Sequence, residues 1–175
     1  VYSMEKQGDK ELQVYKDLLA NRPDQAGSHS YLGTLYEKRG EFKLAEEHYV
    51  KALELNPDYI PALNNLAFFY AEQDREMNKA LDLARKAKDL GGEVPAIMDT
   101  LGWVYYKKQV YDSAIEEFGN CVEKEPGNPI FHYHLGLAYN KKWDYVNAEK
   151  SLKKALALQA DFKGASEARK ILSQM

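Results

Sequence analysis

The chain has 175 residues, near the length of one ordinary domain, and its 24 basic and 27 acidic residues give a net charge of −3. A hydrophobic share of 45% is enough to build a core, which argues against wholesale disorder. A mean hydropathy of −0.61 and an acidic pI near 5.9 argue against a membrane span and against a nucleic-acid binder, which usually carries a dominant basic patch.

Residues 1–25 are interpreted as a partial repeat, mostly its second helix, that is cut inside the first helix. The interval of 21 residues from Tyr2 to Pro23 recurs from Tyr36 to Pro57 in the next unit. We therefore expect the parent protein to continue upstream. We also expect the missing helix to leave an apolar face exposed, which would invite dimerisation. That face comprises Tyr2, Leu12, Tyr15 and Leu19.

The rest of the chain carries a pattern that recurs every 34 or 35 residues. A tyrosine recurs at Tyr36, Tyr70, Tyr105 and Tyr139, and a small residue lies three positions before each of them, at Gly33, Ala67, Gly102 and Gly136. An alanine recurs at Ala45, Ala80, Ala114 and Ala148. A fixed period of this size indicates a repeat array whose units bury their faces against their neighbours.

Each unit is predicted to contain two amphipathic helices. Leu32, Leu35 and Tyr36 lie at positions i, i+3 and i+4, which is the spacing of one helix face. All six prolines lie at unit boundaries, where a proline can begin a helix but cannot continue one. The predicted units are 26–59, 60–94, 95–128 and 129–162, and the second has a one-residue insertion between Glu72 and Asn78.

The last stretch, 162–175, is predicted to be a capping helix. From Phe162 to Ser173 its apolar residues share one face and its charged residues the other. A terminal unit of a repeat array needs a polar outer face. This pattern therefore favours a cap rather than another repeat.

The pattern resembles the tetratricopeptide repeat family, and in particular its bacterial members. In the first unit the matching residues are Leu32, Gly33, Tyr36, Ala45, Tyr49, Ala52 and Pro57. The resemblance implies an all-α, right-handed α-solenoid of antiparallel helix hairpins. It also implies a non-catalytic scaffold for protein–protein interaction, in a bacterial secretion system or in envelope or polysaccharide assembly.

In the resembling family the first helix of each hairpin lines a concave groove that binds a peptide. Carried over by repeat position, the groove residues are Tyr31, Thr34, Asn64, Asn65, Phe68, Asp99, Thr100, Trp103, Tyr106, Lys107, Tyr133, His134, Leu137 and Lys141. Phe68, Trp103 and Leu137 are apolar although the repeat pattern already fills the packing faces of their helices. This surplus favours a partner with apolar anchors, either an extended peptide or an amphipathic helix.

The sequence leaves two alternatives to this function. A self-assembling repeat module, joined through the N-terminal partial repeat, is the main one. RNA binding, known for related helical repeats, is disfavoured by the net negative charge. A ligand held by its terminal carboxylate is also disfavoured, because Ala96 and Thr100 stand where the family's chaperone-tail binders carry basic residues.

Catalysis, a metal and a cofactor are not expected. His132 and His134 point to different helix faces, so they do not form the i, i+4 pair of a helical metal site. Cys121 is the only cysteine and occupies an alanine position of the repeat, which predicts a small buried side chain. We expect a soluble protein. Its compartment, cytoplasm or periplasm, is unknown, because a single cysteine is compatible with both.

Overall fold

The computed structural model describes residues 2–175, with side chains from residue 9 onward. Over this part of the chain there are ten helices and no strand, so the prediction of an all-α solenoid is confirmed. The helices are α1 (Tyr2–Asn21), α2 (Ala26–Lys38), α3 (Phe42–Leu55), α4 (Ile60–Glu72), α5 (Met77–Gly91), α6 (Pro95–Lys107), α7 (Tyr111–Lys124), α8 (Pro129–Lys141), α9 (Tyr145–Leu158) and α10 (Ala165–Leu172).

Helices α2 to α9 form four consecutive hairpins, and local chemistry marks where they begin. A proline occupies the first turn of α4, α6 and α8, where its missing N–H costs no hydrogen bond. Asn128 caps α8 by accepting a hydrogen bond from the Ile130 N–H at 3.1 Å. The loop between α4 and α5 has four residues, one more than the loops that follow α2, α6 and α8.

Close approach of the two helices within a hairpin depends on the small residue of the first helix. A Cβ on Gly33 would lie 2.5 Å from the Tyr49 ring, and a Cβ on Gly102 would lie 2.7 Å from the Phe118 ring. No side chain tolerates such distances, so a glycine opposite a large residue sets the spacing of these two hairpins.

Consecutive units are also joined along one edge by polar contacts about 30 residues apart in sequence. In each contact a basic residue at the end of a first helix reaches a residue of the preceding unit. The contacts are Arg39 with Asp9, Arg75 with Glu46, Lys108 with Asn78 and Lys142 with Asp112. Exposed pairs of this kind add little stability individually.

The N-terminal helix differs from the sequence prediction in two ways. It is one continuous helix from Tyr2 to Asn21. The sequence prediction, the end of a first helix followed by a second helix, would require a turn within this span. Its apolar face is not exposed: Leu12 is only 7% exposed, and Tyr15 and Leu19 pack against the core that α2 helps to form. The side chain of Tyr2 lies outside the described residues. The predicted dimerisation face is therefore wrong for Leu12, Tyr15 and Leu19, because α2 covers it.

The C-terminal helix is shorter than the sequence pattern predicts. It begins at Ala165 instead of Phe162, after an irregular segment that ends at Gly164 with a φ of +109°. Phe162 nevertheless stays in the apolar interior, with its ring centroid 5.5 Å from that of Tyr133. Residues 159–172, which we call the C-terminal segment, therefore pack partly on a first helix of the array.

Candidate peptide-binding groove

The inner, concave side of the solenoid is formed by the first helices α2, α4, α6 and α8. These helices contact one another in succession, whereas each second helix contacts the first helices on either side of it. The side on which successive helices touch directly has the smaller radius, so it is the concave one. The groove residues predicted from the sequence all belong to these four helices.

Hydrogen bonds between successive units run along this concave face. Asn65 Nδ2 donates to Thr34 Oγ1 at 3.3 Å, and Trp103 Nε1 donates to Glu72 Oε1 at 2.9 Å. The next units continue the series, because the His134 Nδ1 lies 2.7 Å from Asp99 Oδ1 and the Tyr133 hydroxyl donates to Glu167 Oε2 at 2.7 Å. The polar groups of six predicted groove residues are thus already bonded within the protein.

The ring of Trp103 is packed against neighbouring side chains and is not free to bind a ligand as an exposed anchor. It is half-buried, and its ring stacks on Tyr106 and on His134 at centroid distances of 5.1 and 4.7 Å. It also packs against three separate apolar clusters of the core. The expectation that Trp103 is a surface anchor, free of the core, is therefore corrected. The tight curvature places it between the second, third and fourth units.

Four other predicted groove residues are buried. Thr100 donates to the Ala96 carbonyl oxygen at 3.1 Å inside α6, and His134 and Leu137 lie under neighbouring helices. Tyr133 is only 6% exposed, and burial, followed by the bonded Glu167 carboxylate, raises the pKa of its hydroxyl above the usual range. These positions do not form the exposed wall that the sequence predicts.

The C-terminal segment is what covers this part of the groove. A Cβ on Gly164 would lie 2.4 Å from the Tyr133 ring, so the backbone of the segment rests directly on that tyrosine. From the same segment, Lys163 Nζ reaches Glu72 Oε2 at 3.5 Å, across 91 positions of sequence. The segment carries no repeat period, so nothing in the periodic pattern signals that it lies here.

A cavity of about 590 Å³ remains between α6, α8 and α10. It is lined by Tyr106, Leu137, Asn140, Lys141, Gly164, Ser166, Glu167, Lys170, Ile171 and Gln174. Burial, followed by the charge of Glu167, raises the pKa of Tyr106 to about 12, so its hydroxyl stays protonated. Lys141 is exposed at the rim of this cavity.

A second cavity, of about 430 Å³, lies between the first helices of the first and second hairpins. We call it the N-terminal pocket, and its lining residues are Thr34, Glu37, Lys38, Tyr49, Asn64, Asn65, Phe68 and Lys163. It thus brings together four of the predicted groove residues. Of the other four, Glu37 and Lys38 lie on α2, the helix that also carries Thr34. Sequence reasoning missed Lys163 because it lies outside the repeats, and Tyr49 because it belongs to the repeat framework.

Two features distinguish the N-terminal pocket from the covered part of the groove. Phe68 is half-buried, yet among the described side chains it belongs to none of the five apolar clusters that make the core. Asn64 Oδ1 is buried and accepts no hydrogen bond from the described residues. The pocket therefore has an apolar surface and an acceptor that the protein itself leaves unmatched.

The charge in this pocket is mixed. Glu37 accepts a hydrogen bond from the Tyr49 hydroxyl at 2.7 Å, and burial raises the pKa of its carboxyl above the ordinary value. Lys38 and Lys163 bring positive charge to the same cavity. A ligand with both polar and apolar groups fits this lining better than a purely apolar one.

The two remaining predicted residues lie away from the groove floor. Tyr31 is exposed, stacks on Tyr15 at 4.3 Å and donates to Glu11 Oε2 at 3.3 Å. Lys107 pairs with Asp74 at 2.8 Å on the edge of the solenoid. Both contacts tie neighbouring units together.

The described part of the chain contains no group of three or more His, Cys, Asp or Glu side chains placed to hold a metal ion. Nor does it contain a helix long and apolar enough to cross a membrane. Cys121 is fully buried as predicted, and burial raises the pKa of its thiol to about 12.

Comparisons with known proteins show the same repeat. Family models described as tetratricopeptide repeat match residues 26–59, 48–82 and 100–161. The chain is 30% identical over 161 residues to the human protein O-mannosyl-transferase TMTC3, covering 87% of this chain and 17% of that protein. It spans about a fifth of the length of the curated relatives that it matches in this way.

Solved structures show the same architecture. The crystal structure of the APC/C hetero-tetramer Cut9–Hcn1 superposes with a TM-score of 0.86 at 20% identity, covering 99% of this chain and 34% of that one. The crystal structure of MamA protein gives a TM-score of 0.70 at 27% identity, covering 94% of this chain and 88% of that one. The first of these likenesses is evidence for the fold alone.

Proposed function

Because this chain belongs to the tetratricopeptide repeat family, whose helical arrays are scaffolds for protein–protein interaction, we propose that it binds a segment of another protein in the N-terminal pocket. The proposal narrows the predicted groove to the interface of the first two hairpins. In this proposal the chain is a scaffold without catalytic activity. The bacterial pathway suggested by the sequence resemblance stays a prediction.

The observation that carries the proposal is the position of Phe68. A half-buried aromatic ring outside the core clusters is only partly packed by its own fold, so it offers its remaining apolar surface to a ligand. Trp103, by contrast, is packed on three clusters and has its N–H bonded to Glu72. Of the aromatic groove residues, Phe68 therefore best fits the role of an anchor for a partner.

Polar groups around Phe68 support a peptide as the ligand. A buried acceptor without a donor is costly, so a peptide N–H that reached Asn64 would gain a hydrogen bond that the free protein does not make. Glu37 and Lys163 lie in the same cavity and would favour a ligand carrying charges of both signs. We propose an extended segment with one apolar side chain seated on Phe68.

A phage-displayed random peptide library, panned on the full chain, tests this proposal. Truncating an interface hot spot costs about 2 kcal/mol or more. We therefore expect Phe68→Ala to weaken the selected peptides about thirtyfold in fluorescence polarisation. The melting temperature should change little, since Phe68 is not part of the core clusters.

Phe42→Ala is the matched control, because it removes a similarly sized ring from the outside of the first hairpin. This variant should bind the selected peptides as tightly as the unchanged chain. Peptides that bind the unchanged chain and Phe68→Ala equally well would contradict the proposal.

A further inference from the structure

Trp143 is the most exposed large apolar side chain among the described residues. It is 79% exposed at the tip of the turn between α8 and α9. Its φ of +61° lies in the left-handed region, where the first hairpin has Gly40 at the equivalent turn position with a φ of +74°. A bulky side chain at positive φ is strained, and this one gains almost no burial in return. The fold itself therefore does not explain this tryptophan.

Two more apolar side chains extend the exposed surface. Tyr145 is 52% exposed and Val146 is 78% exposed, so three of four consecutive residues present apolar groups to water. Asp144 lies between Trp143 and Tyr145 and fixes the turn. It accepts hydrogen bonds from the backbone N–H and the side-chain amide of Asn147 at 3.2 and 2.7 Å. The turn is thus fixed in a shape that projects its apolar residues. We call residues 143–146 the exposed tip.

The part of the chain that carries the exposed tip is net positive, although the whole chain is acidic. Residues 1–128 contain 16 basic and 23 acidic residues, whereas residues 129–175 contain 8 basic and 4 acidic residues, giving net charges of −7 and +4. Lys150 and Lys154 follow Val146 at intervals of four along α9 and make no ion pair among the described residues. The apolar tip therefore continues into a basic helix face.

We propose that the exposed tip and the basic face of α9 dock on an anionic lipid surface. Tryptophan and tyrosine are the residues that favour the membrane–water interface, and lysines next to them attract anionic headgroups. Three side chains on a protruding turn offer much less than the roughly 800 Å² that each partner buries in a stable protein interface. A lipid surface needs no complementary pocket, so it fits this small convex patch better than a folded partner.

Vesicle sedimentation with the full chain tests the proposal. The chain should sediment with phosphatidylcholine vesicles that contain phosphatidylserine and much less with vesicles of phosphatidylcholine alone, and added salt should weaken the binding. Trp143→Ser should lower the partition coefficient about tenfold or more, because the most exposed apolar ring is lost. Lys150→Glu should lower binding to the anionic vesicles.

Tryptophan fluorescence supplies an independent readout. The chain has two tryptophans, Trp103 and Trp143. Vesicle binding should shift the emission to shorter wavelength in the unchanged chain, because Trp143 leaves water. In Trp143→Ser, which retains only Trp103, the shift should be absent.

Phe42→Ser is the control, because Phe42 begins the second helix of the first hairpin as Tyr145 does in the fourth, and it is 43% exposed in the acidic part of the chain. It should bind vesicles like the unchanged chain. Absence of binding to the anionic vesicles, or an equal loss in Phe42→Ser, would overturn the proposal and leave a protein as the occupant of the tip.

Discussion

His29 and His48 form a hydrogen-bonded pair in the first hairpin, and their contacts determine which ring nitrogen donates. Their Nδ1 atoms are 2.9 Å apart, and His29 Nε2 lies 3.2 Å from the Pro23 carbonyl oxygen. A carbonyl oxygen only accepts, so His29 donates from Nε2, and its Nδ1 then accepts from His48 when both rings are neutral. Burial, followed by the neighbouring His29, lowers the pKa of His48 below its ordinary value.

This shift predicts a pH dependence of stability. Below about pH 6.5 the unfolded chain protonates His48 more readily than the folded chain does, so the free energy of unfolding should fall as the pH is lowered from about 7.5 to 5.5. His48→Gln should make that fall shallower. Urea unfolding at several pH values measures the slope for both proteins. Identical slopes would show that His48 does not titrate differently in the folded state.

Within a hairpin, the spacing of the two helices depends on a pair of residues of complementary size. Gly33, Gly102 and Gly136 each lie against a large side chain, whereas the second hairpin has Ala67 and Ala84 at the equivalent positions. Ala84, where the repeat usually has a large residue, leaves room for the Cβ of Ala67.

If the two residues are paired by size, the effect of Gly102→Ala on the free energy of unfolding should change sign when Phe118 is replaced by alanine. Gly102→Ala gains about 1 kcal/mol from helix propensity, but its Cβ would lie 2.7 Å from the Phe118 ring, and overpacking costs about 1–3 kcal/mol. We expect net destabilisation in the unchanged chain. In a Phe118→Ala background the ring contact is absent and the Glu117 Cβ at 3.2 Å is the tight contact that remains, so the clash is much smaller and Gly102→Ala should instead stabilise. Urea unfolding of the four proteins of this cycle measures both effects, and the same sign in both backgrounds would contradict the size pairing.

At the level of helices, the sequence is informative wherever the period applies. The 34- or 35-residue spacing predicts the hairpins, because every unit repeats a small residue, a tyrosine and an alanine at the same positions of its packing faces. Two predictions were wrong: α10 begins at Ala165 and not at Phe162, and the apolar face of α1 is covered by α2 and not exposed. Both elements lie outside the four predicted units, so the period does not fix their bounds or their contacts.

Across the whole molecule, Trp103 connects three units. It bonds to Glu72 of the second hairpin and stacks on His134 of the fourth. Trp103→Ala should lower the free energy of unfolding by about 3 kcal/mol, by analogy with large aromatic truncations. Amide hydrogen exchange should rise in α4 and α8 as well as in α6, because all three helices lose a contact.

Phe68→Ala is the control for this prediction, since it removes an aromatic ring from the same concave face without removing a core contact. Its exchange pattern should stay close to that of the unchanged chain. A Trp103→Ala protein with an unchanged melting temperature would restore the surface role that the sequence predicts.

The groove could be predicted only in part, for a reason that concerns the whole superhelix. Repeat position tells which residues face inward, and all fourteen predicted residues do belong to the inner helices. It does not tell how closely successive units approach. The close approach seen here buries Thr100 and Leu137 and engages Asp99 with His134, while the C-terminal segment covers Tyr133. Such contacts depend on pairs of side chains from different units, which a single sequence does not reveal.

The unequal charge of residues 1–128 and 129–175 gives the solenoid a permanent electric dipole along its length. A dipole in an external field experiences a torque, so the molecule would turn its fourth hairpin toward any anionic surface while still separated from it by about a Debye length, some 8–10 Å at physiological salt. The direction of approach would then be decided before any side chain makes contact, and raising the ionic strength would make encounters random in orientation.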